Sequence, residues 1–351
     1  MGKHVGLSLI LIFLLFFLPW LWGEPQAASQ PEPPAEDSSL AEDPPPAEDP
    51  PQVQPEKGTD RSIPLNILVD GQLRQTNMAD YLLGVVRAEM PASFELEALK
   101  AQAVAARTFV LYRMANGGTA NHPEADACGD ITCCQAYKSY EDAALDWGEA
   151  ASEYEAKIRQ AVEDTDGICV LYEGKPLLAA FHAASSQTTQ DAAAVWSSGL
   201  PYLQSVETPE SEETVPNYHS SASFTASELK SRLQAALPEA DLSGSPSNWF
   251  TNIQQQPGGT VTSLTVGGVP VTGGQIRSIL ELRSACFTIS FAEDTVTFSV
   301  TGYGHGVGMS QYGANVLAGG GMDYQEILTW YYTGASVEPY APPGIPASNT
   351  Q

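Results

Sequence analysis

The stretch "RAEMP", Arg87 to Pro91, ends an apolar run with a carboxylate two residues ahead of a proline. A helix through "YLLGVVRAEM" must stop there, because the residue before a proline is pushed out of the helical region. Glu89 therefore falls in the last turn, where the negative end of the helix dipole disfavours its charge by about 0.3 to 1 kcal/mol. Partial burial would hold the proton to still higher pH, which makes a general acid; the plain alternative is a solvated helix-end glutamate. A second constellation is "HPEADACGDITCCQAY", in which His122, Cys128 and Cys134 recur at intervals of six. Imidazole and thiolate are zinc ligands. No Cys-x-x-Cys spacing accompanies them, so a Cys128 to Cys133 disulfide or free thiols stay open beside the metal, with Cys133 as the spare. In "GYGHGVGMSQYGAN" the glycines permit positive φ and let His305 and backbone amides line a cleft. A phosphate-binding loop is excluded there by the missing lysine and the missing βαβ context.

These groups need elements to hold them. The β-branched "IPLNILVDGQL" reads as a strand turning at Asp-Gly into a hairpin. Asn77 or Asp80 then caps the helix that carries Glu89. In "ELEALKAQAVAARTFVLYRM", Leu99, Ala103, Ala106, Val110 and Met114 form the core stripe of a second helix, with Lys100, Gln102 and Arg107 on its polar side. "TVTSLTVGGVPVTGG" and "CFTISFAEDTVTFSV" read as strands joined by Gly and Asp turns. Ser310 caps a helix running to Leu317, and "YQEILTWYYTG" is a closing helix with a terminal glycine. His182 reads as a packing or hydrogen-bonding residue. The expected fold is α+β, a single domain of helices and antiparallel strands with a substrate cleft over residues 62–338, followed by a disordered tail, 339–351.

The chain of 351 residues carries 42 acidic against 16 basic side chains, a net charge of -26, which argues against a nucleic-acid partner. Its five cysteines are too few and too clustered for a disulfide scaffold. Residues 1–23 hold an almost wholly apolar run from Val5 to Trp22, about the 20 residues that span a bilayer, with Lys3 before it and Trp20 and Trp22 at its far end. It reads as an uncleaved single-pass membrane anchor pointing out of the cytoplasm, with a cleaved signal peptide as the alternative; no cysteine follows to carry a lipid. Residues 24–61, including "AEDPPPAEDPP", are too acidic and proline-rich to fold. In polyproline II such a tether reaches up to roughly 100 Å.

"YLLGVVRAEMPASFELEALKAQAVAARTFVLYRM", "CQAY", the "VW" ahead of "PYLQSV", "VTGGQIRSILELRSACFTI" and "GYGHGVGMSQYGAN" follow one another as in the stage II sporulation protein D (SpoIID) family, which this chain closely resembles over roughly residues 65 to 335. The resemblance implies a membrane-anchored peptidoglycan lytic transglycosylase active in sporulation and engulfment. Its catalytic acid would be Glu89, and its substrate glycan strands stripped of stem peptides. It also implies partners, the sporulation amidase protein P and the scaffold protein M. Lys100, Gln102, Arg107, Tyr137, Gln187, Thr189, Tyr202 and His305 become candidates for binding the glycan. His122, Cys128 and Cys134 reproduce the zinc ligands implied for some members, with the ion either catalytic or pinning the loop beside the cleft. One departure is plain. Ser186 and Gln187 stand where the family has a Gly-rich step, which leaves close backbone approach to a sugar unsupported there. The rival reading is a noncatalytic glycan-binding or complex-assembly module, which would keep the cleft and not need Glu89.

Overall fold

The computed structural model describes residues 59–119, 121–196 and 199–342. The apolar N-terminal run, nearly all of the acidic linker and the end of the tail lie outside the described residues. Among the described residues, no helix is long and apolar enough to cross a membrane.

The chain opens with an antiparallel hairpin, β1 (Pro64–Val69) and β2 (Gln72–Asn77). Asp70 and Gly71 turn it with φ of 52° and 72°, the paired left-handed conformation that an Asp-Gly corner favours. Helix α1 (Met78–Glu89) starts at Asn77, whose side chain accepts from the Asp80 amide. It stops where Met90 turns extended (φ -122°, ψ 141°) ahead of Pro91. Helix α2 (Leu96–Ala115) follows, then β3 (Ala127–Cys128), which pairs parallel to β1. Helices α3 (Tyr140–Trp147) and α4 (Ala151–Glu163) lead to β4 (Ile168–Tyr172), β5 (Lys175–Pro176), β6 (Phe181–His182) and the short α5 (Ala192–Val195).

A second hydrophobic core then forms. Strands β7 (His219–Thr225), β8 (Phe250–Gln255), β9 (Val261–Val266), β10 (Val269–Thr272), β11 (Phe287–Ala292) and β12 (Thr295–Thr301) make two antiparallel sheets, ordered β10-β9-β8 and β11-β12-β7. They pack with α6 (Ala226–Ala236) and α7 (Gly273–Leu280) around Leu229, Trp249, Val266, Ile276 and Phe298. The Phe298 ring meets Phe224, Phe250 and Phe287 edge-on at 5.6 to 6.1 Å. The chain returns to the first core through β13 (Met309–Ser310), α8 (Gln311–Gly319), α9 (Tyr324–Tyr331) and β14 (Ser336–Pro339), which pairs with β4. The architecture is α+β.

Helix α2 departs most from expectation. Residues 101–108 are all buried, Gln102 and Arg107 included, because α1, α4, α8, α9 and β4 pack around it. There is no polar side at Arg107. Its guanidinium clasps Asp60 through Nε at 2.8 Å and Nη2 at 2.6 Å, and Nη1 donates to the Ile168 carbonyl at 3.0 Å. Thr59 and Asp60, at the end of the expected linker, are therefore integral to the fold, their amides donating to Asp166. At the other end the first residues of the expected tail are ordered, Pro339 in β14 and the Tyr340 amide bonded to Gly167.

A buried ion pair that loses one partner leaves an uncompensated charge. Arg107→Ala should lower the unfolding free energy by about 3 to 5 kcal/mol, measured by urea denaturation. A loss below about 1 kcal/mol, the size of an exposed pair, would contradict the pairing.

Candidate active site

Glu89 is half-buried at the end of α1. Its Oε1 accepts from the backbone N–H of Ala136 at 2.6 Å, and its Oε2 receives a long contact, 3.5 Å, from Gln311 Nε2. Gln311 opens α8, whose first turn is fixed by Ser310 Oγ accepting from the Gly313 amide. The same Gln311 nitrogen donates to Gln102 Oε1 at 3.3 Å inside the core. Burial pushes the Glu89 carboxyl up to about 7, and its two hydrogen bonds pull the other way. Among the described residues no neighbouring carboxylate enters that balance, so Glu89 is a lone acid poised near neutrality.

The Gly-rich segment 302–308 brings two more groups. Gly302, Gly304, Gly306 and Gly308 all have positive φ, and the segment runs beside residues 182–190 through bridges Ala184 to Tyr303 and Gln190 to Val307. A methyl on Gly304 would lie 2.7 Å from the His182 Cβ, so the close approach needs glycine. Tyr303 feels the charges of Glu89, Arg277 and Arg283, with the Arg283 guanidinium 4.7 Å from its ring. His305 stands between His182 and Trp196, ring centroids 5.6 and 5.4 Å away, its Nδ1 accepting from the Val307 amide. Burial and Arg277 lower it to about 4, so it is neutral at physiological pH. His182 is a packed, hydrogen-bonded residue, with Nε2 2.6 Å from Ser185 Oγ and Nδ1 3.2 Å from the Val307 carbonyl.

Several candidates hold structure instead. Lys100 bridges Glu97 at 2.9 Å and Asp164 at 3.0 Å. Thr189 is buried, its hydroxyl accepting from the Val206 amide and donating to the Gln204 carbonyl. Tyr202 is buried with its hydroxyl on the Leu178 amide. Tyr137 covers Gly84 of α1, where any Cβ would collide with its ring. Gln187 is exposed and takes a φ of 66°, the left-handed conformation that accounts for glycine at this step in the family pattern. Gln102 reaches the site through Gln311 rather than by facing a ligand. Gln311 and Tyr303 were legible only as members of the "GYGHGVGMSQYGAN" motif; nothing local marked them as partners of Glu89.

The Sγ atoms of Cys128, Cys133 and Cys134 lie within 4.8 Å of one another, those of Cys133 and Cys134 at 3.8 Å. Cys133, the expected spare, is part of the group. His122 is outside it, its Nδ1 4.0 Å from Glu124 Oε1. Two residues beyond Cys134, Ala136 makes its bond to Glu89, so the thiol loop carries one of the two donors to the acid.

The family model "Stage II sporulation protein" matches residues 71–172, a span that contains Glu89 and the three thiols. Stage II sporulation protein D of Bacillus subtilis (strain 168) is 35% identical over 281 residues, 80% of each chain. The chain belongs to the stage II sporulation protein D family. The Bacillus amyloliquefaciens member is likewise 35% identical, over 276 residues, 79% of this chain and 78% of its own. The Amidase enhancer of Bacillus subtilis (strain 168) is 29% identical over 308 residues, 74% of this chain and 40% of that protein.

The raised proton affinity of Glu89 has a cost for the fold. The folded carboxyl binds its proton up to about 7 while the unfolded one releases it near 4.5, so stability is full below 4.5 and falls as pH rises between the two. Glu89→Gln cannot ionise. Relative to wild type it should gain up to roughly 3 kcal/mol between pH 4.5 and pH 8, measured by denaturant unfolding at both; a mutant-to-wild-type difference independent of pH would contradict the shift.

Proposed function

We propose that this protein is a lytic transglycosylase of the sporulation cell wall, cutting the bond between N-acetylmuramic acid and N-acetylglucosamine in peptide-poor glycan strands. The observation that carries this is Glu89, a carboxyl with no neighbouring carboxylate among the described residues, whose proton affinity burial raises to about 7. Hydrolysis by retaining or inverting routes needs two carboxyl groups. One suffices when the substrate supplies the nucleophile. Glu89 gives its proton to the bridging oxygen as the C1–O bond breaks; the C6 hydroxyl of the same muramic acid closes on C1, and its proton returns to the Glu89 carboxylate. The products are a free glucosamine 4-hydroxyl and a 1,6-anhydro end, with no water consumed. The backbone N–H of Ala136 and the amide of Gln311 hold the carboxylate oriented between the two transfers.

Peptide-free strands incubated with wild type and Glu89→Gln, with products read by mass spectrometry, test the assignment: anhydro ends should fall by at least about a hundredfold in the mutant. Equal yields would defeat it. Because the reactive form is protonated, kcat/KM should decline as pH rises through about 7; a flat profile from pH 5 to 9 would count against Glu89 as the acid. The Amidase enhancer relative favours a second reading, an assembly module acting on a partner amidase, and equal yields would favour it.

The reading extends to a zinc ion on Cys128, Cys133 and Cys134. Zinc–sulfur bonds of about 2.3 Å in a tetrahedron put sulfurs roughly 3.8 Å apart, the separation found between Cys133 and Cys134. Burial raises the Cys128 and Cys134 thiols, a penalty that a bound cation reverses. The ion would supply a cross-link that pins the Ala136 loop against Glu89. Protein purified without added metal should carry about one zinc per chain, lost in Cys128→Ser and Cys134→Ser; chelation should lower the melting temperature. Under a disulfide the chelator does nothing and reductant destabilises. His122→Ala retaining its zinc would restrict the ligands to the thiols. The apolar N-terminal run would hold the enzyme outside the cytoplasmic membrane, beside the wall and its amidase and scaffold partners.

A further inference from the structure

One buried carboxyl group has no part in the reaction as drawn. Glu210 is 3% exposed, and its partners are neutral donors from three parts of the chain. Its Oε1 accepts from the Ser185 amide at 2.7 Å and from Ser310 Oγ at 2.5 Å, and its Oε2 accepts from Thr208 Oγ1. The Thr208 hydroxyl has given its single proton to the carboxylate, so the Tyr331 hydroxyl, 2.7 Å away, donates to it in turn. Gly313 in the first turn of α8 backs onto this network, and a Cβ there would collide with Tyr331, Thr208 and Glu210 together. One of the donors leads to Glu89. Ser310 gives its proton to Glu210 and a lone pair to the Gly313 amide, so the carboxylate fixes the hydroxyl that caps α8. Gln311, the next residue, meets both Glu89 Oε2, at 3.5 Å, and Gln102 Oε1, at 3.3 Å, with one nitrogen. Met309 and Ser310 also pair with Phe181 and His182, and the turn after His182 brings in the Ser185 amide, so both strands of that pairing are tied to the same carboxylate.

We propose that Glu210 is a positioning residue for the acid: by fixing Ser310 it sets the first turn of α8, and with it the contact from Gln311 to Glu89. That contact favours the carboxylate form of Glu89, against the burial that holds its proton. Without the tie to Glu210, Ser310 and Gln311 shift, the contact is lost, and Glu89 keeps its proton to higher pH. Tyr81 and Tyr303, which feel the Glu89 charge, are pushed above their ordinary values by burial and do not change charge near pH 7. The role rests on the reading of Glu89 as the general acid.

Carbon-13 NMR of the full chain labelled at its glutamate carboxyls, with the Glu89 signal assigned by its loss in Glu89→Gln, reads the protonation midpoint. Glu210→Leu fills the volume and offers no acceptor. It should raise the Glu89 midpoint by about 0.4 to 1 pH unit, the loss of a weak hydrogen bond to the charged form. Acting through space, the deleted negative charge would lower the midpoint instead, so a rise reports the contact. Ser310→Ala leaves Ser185 and Thr208 on the carboxylate and should shift the midpoint the same way. In a Gln311→Ala chain, Glu210→Leu should add nothing. Should Glu210→Leu fail to fold, Glu210→Asp, which withdraws the two oxygens by one carbon, is read in its place with the same sign expected. An unmoved or lowered midpoint in Ser310→Ala or in the folded Glu210 variant, or an equal rise with Gln311 absent, overturns the role. With peptide-free strands as substrate, the descending limb of kcat/KM against pH should follow the NMR midpoint. A midpoint that moves with no cleavage at all keeps the positioning and retires the reaction, whereas cleavage with a fixed midpoint keeps the reaction and retires the positioning.

Discussion

Helix α2 is enclosed, and the rest of the fold answers to that constraint. Alanines at 98, 101, 103, 105 and 106 let α1, α4, α8, α9 and β4 approach it closely, and the enclosure buries whatever polar groups the helix carries. Each must find a partner or cost a few kcal/mol. Arg107 finds Asp60 and the Ile168 carbonyl; Thr108 Oγ1 accepts from the Val170 amide and donates to the Val104 carbonyl. Gln102 Oε1 accepts from Gln311, which ties the start of α8 to this core helix, while Gln102 Nε2 has no partner among the described residues. The catalytic candidate is thus linked through Gln311 to a core glutamine.

The acid itself is arranged by opposing effects. Burial and the helix C-terminus hold its proton, while the Ala136 amide and Gln311 prefer the carboxylate. A group meant to give a proton and take one back gains from such a balance, because neither form is trapped. The thiol loop delivers the Ala136 amide, and the Gly-rich segment brings Tyr303 within reach of the Glu89 charge.

Local chemistry was legible in the sequence. The Asp70-Gly71 corner, the Asn77 cap, the stop before Pro91, the β9–β10 and β11–β12 hairpins and the Ser310 cap are where short-range sterics and hydrogen bonding place them. The partners of Glu89 were not, since Gln311 lies 222 residues away and no periodicity links the two. Helical spacing put Lys100, Gln102 and Arg107 on a polar side because it sees one helix and not the elements packed around it. Thr189 and Tyr202 matched the family pattern for reasons of structure, as their buried hydrogen bonds make clear. Ligand spacing passed over Cys133, which the turn from Asp130 to Cys134 folds back onto its neighbours.

The central claim is that one carboxyl group works with a nucleophile that the substrate provides. Digestion of peptide-free strands in heavy-oxygen water tests it most directly. The new ends should be 1,6-anhydro sugars free of the heavy isotope. One heavy oxygen at each new reducing end would mean that water attacked C1, and the lone-acid account of Glu89 would be wrong.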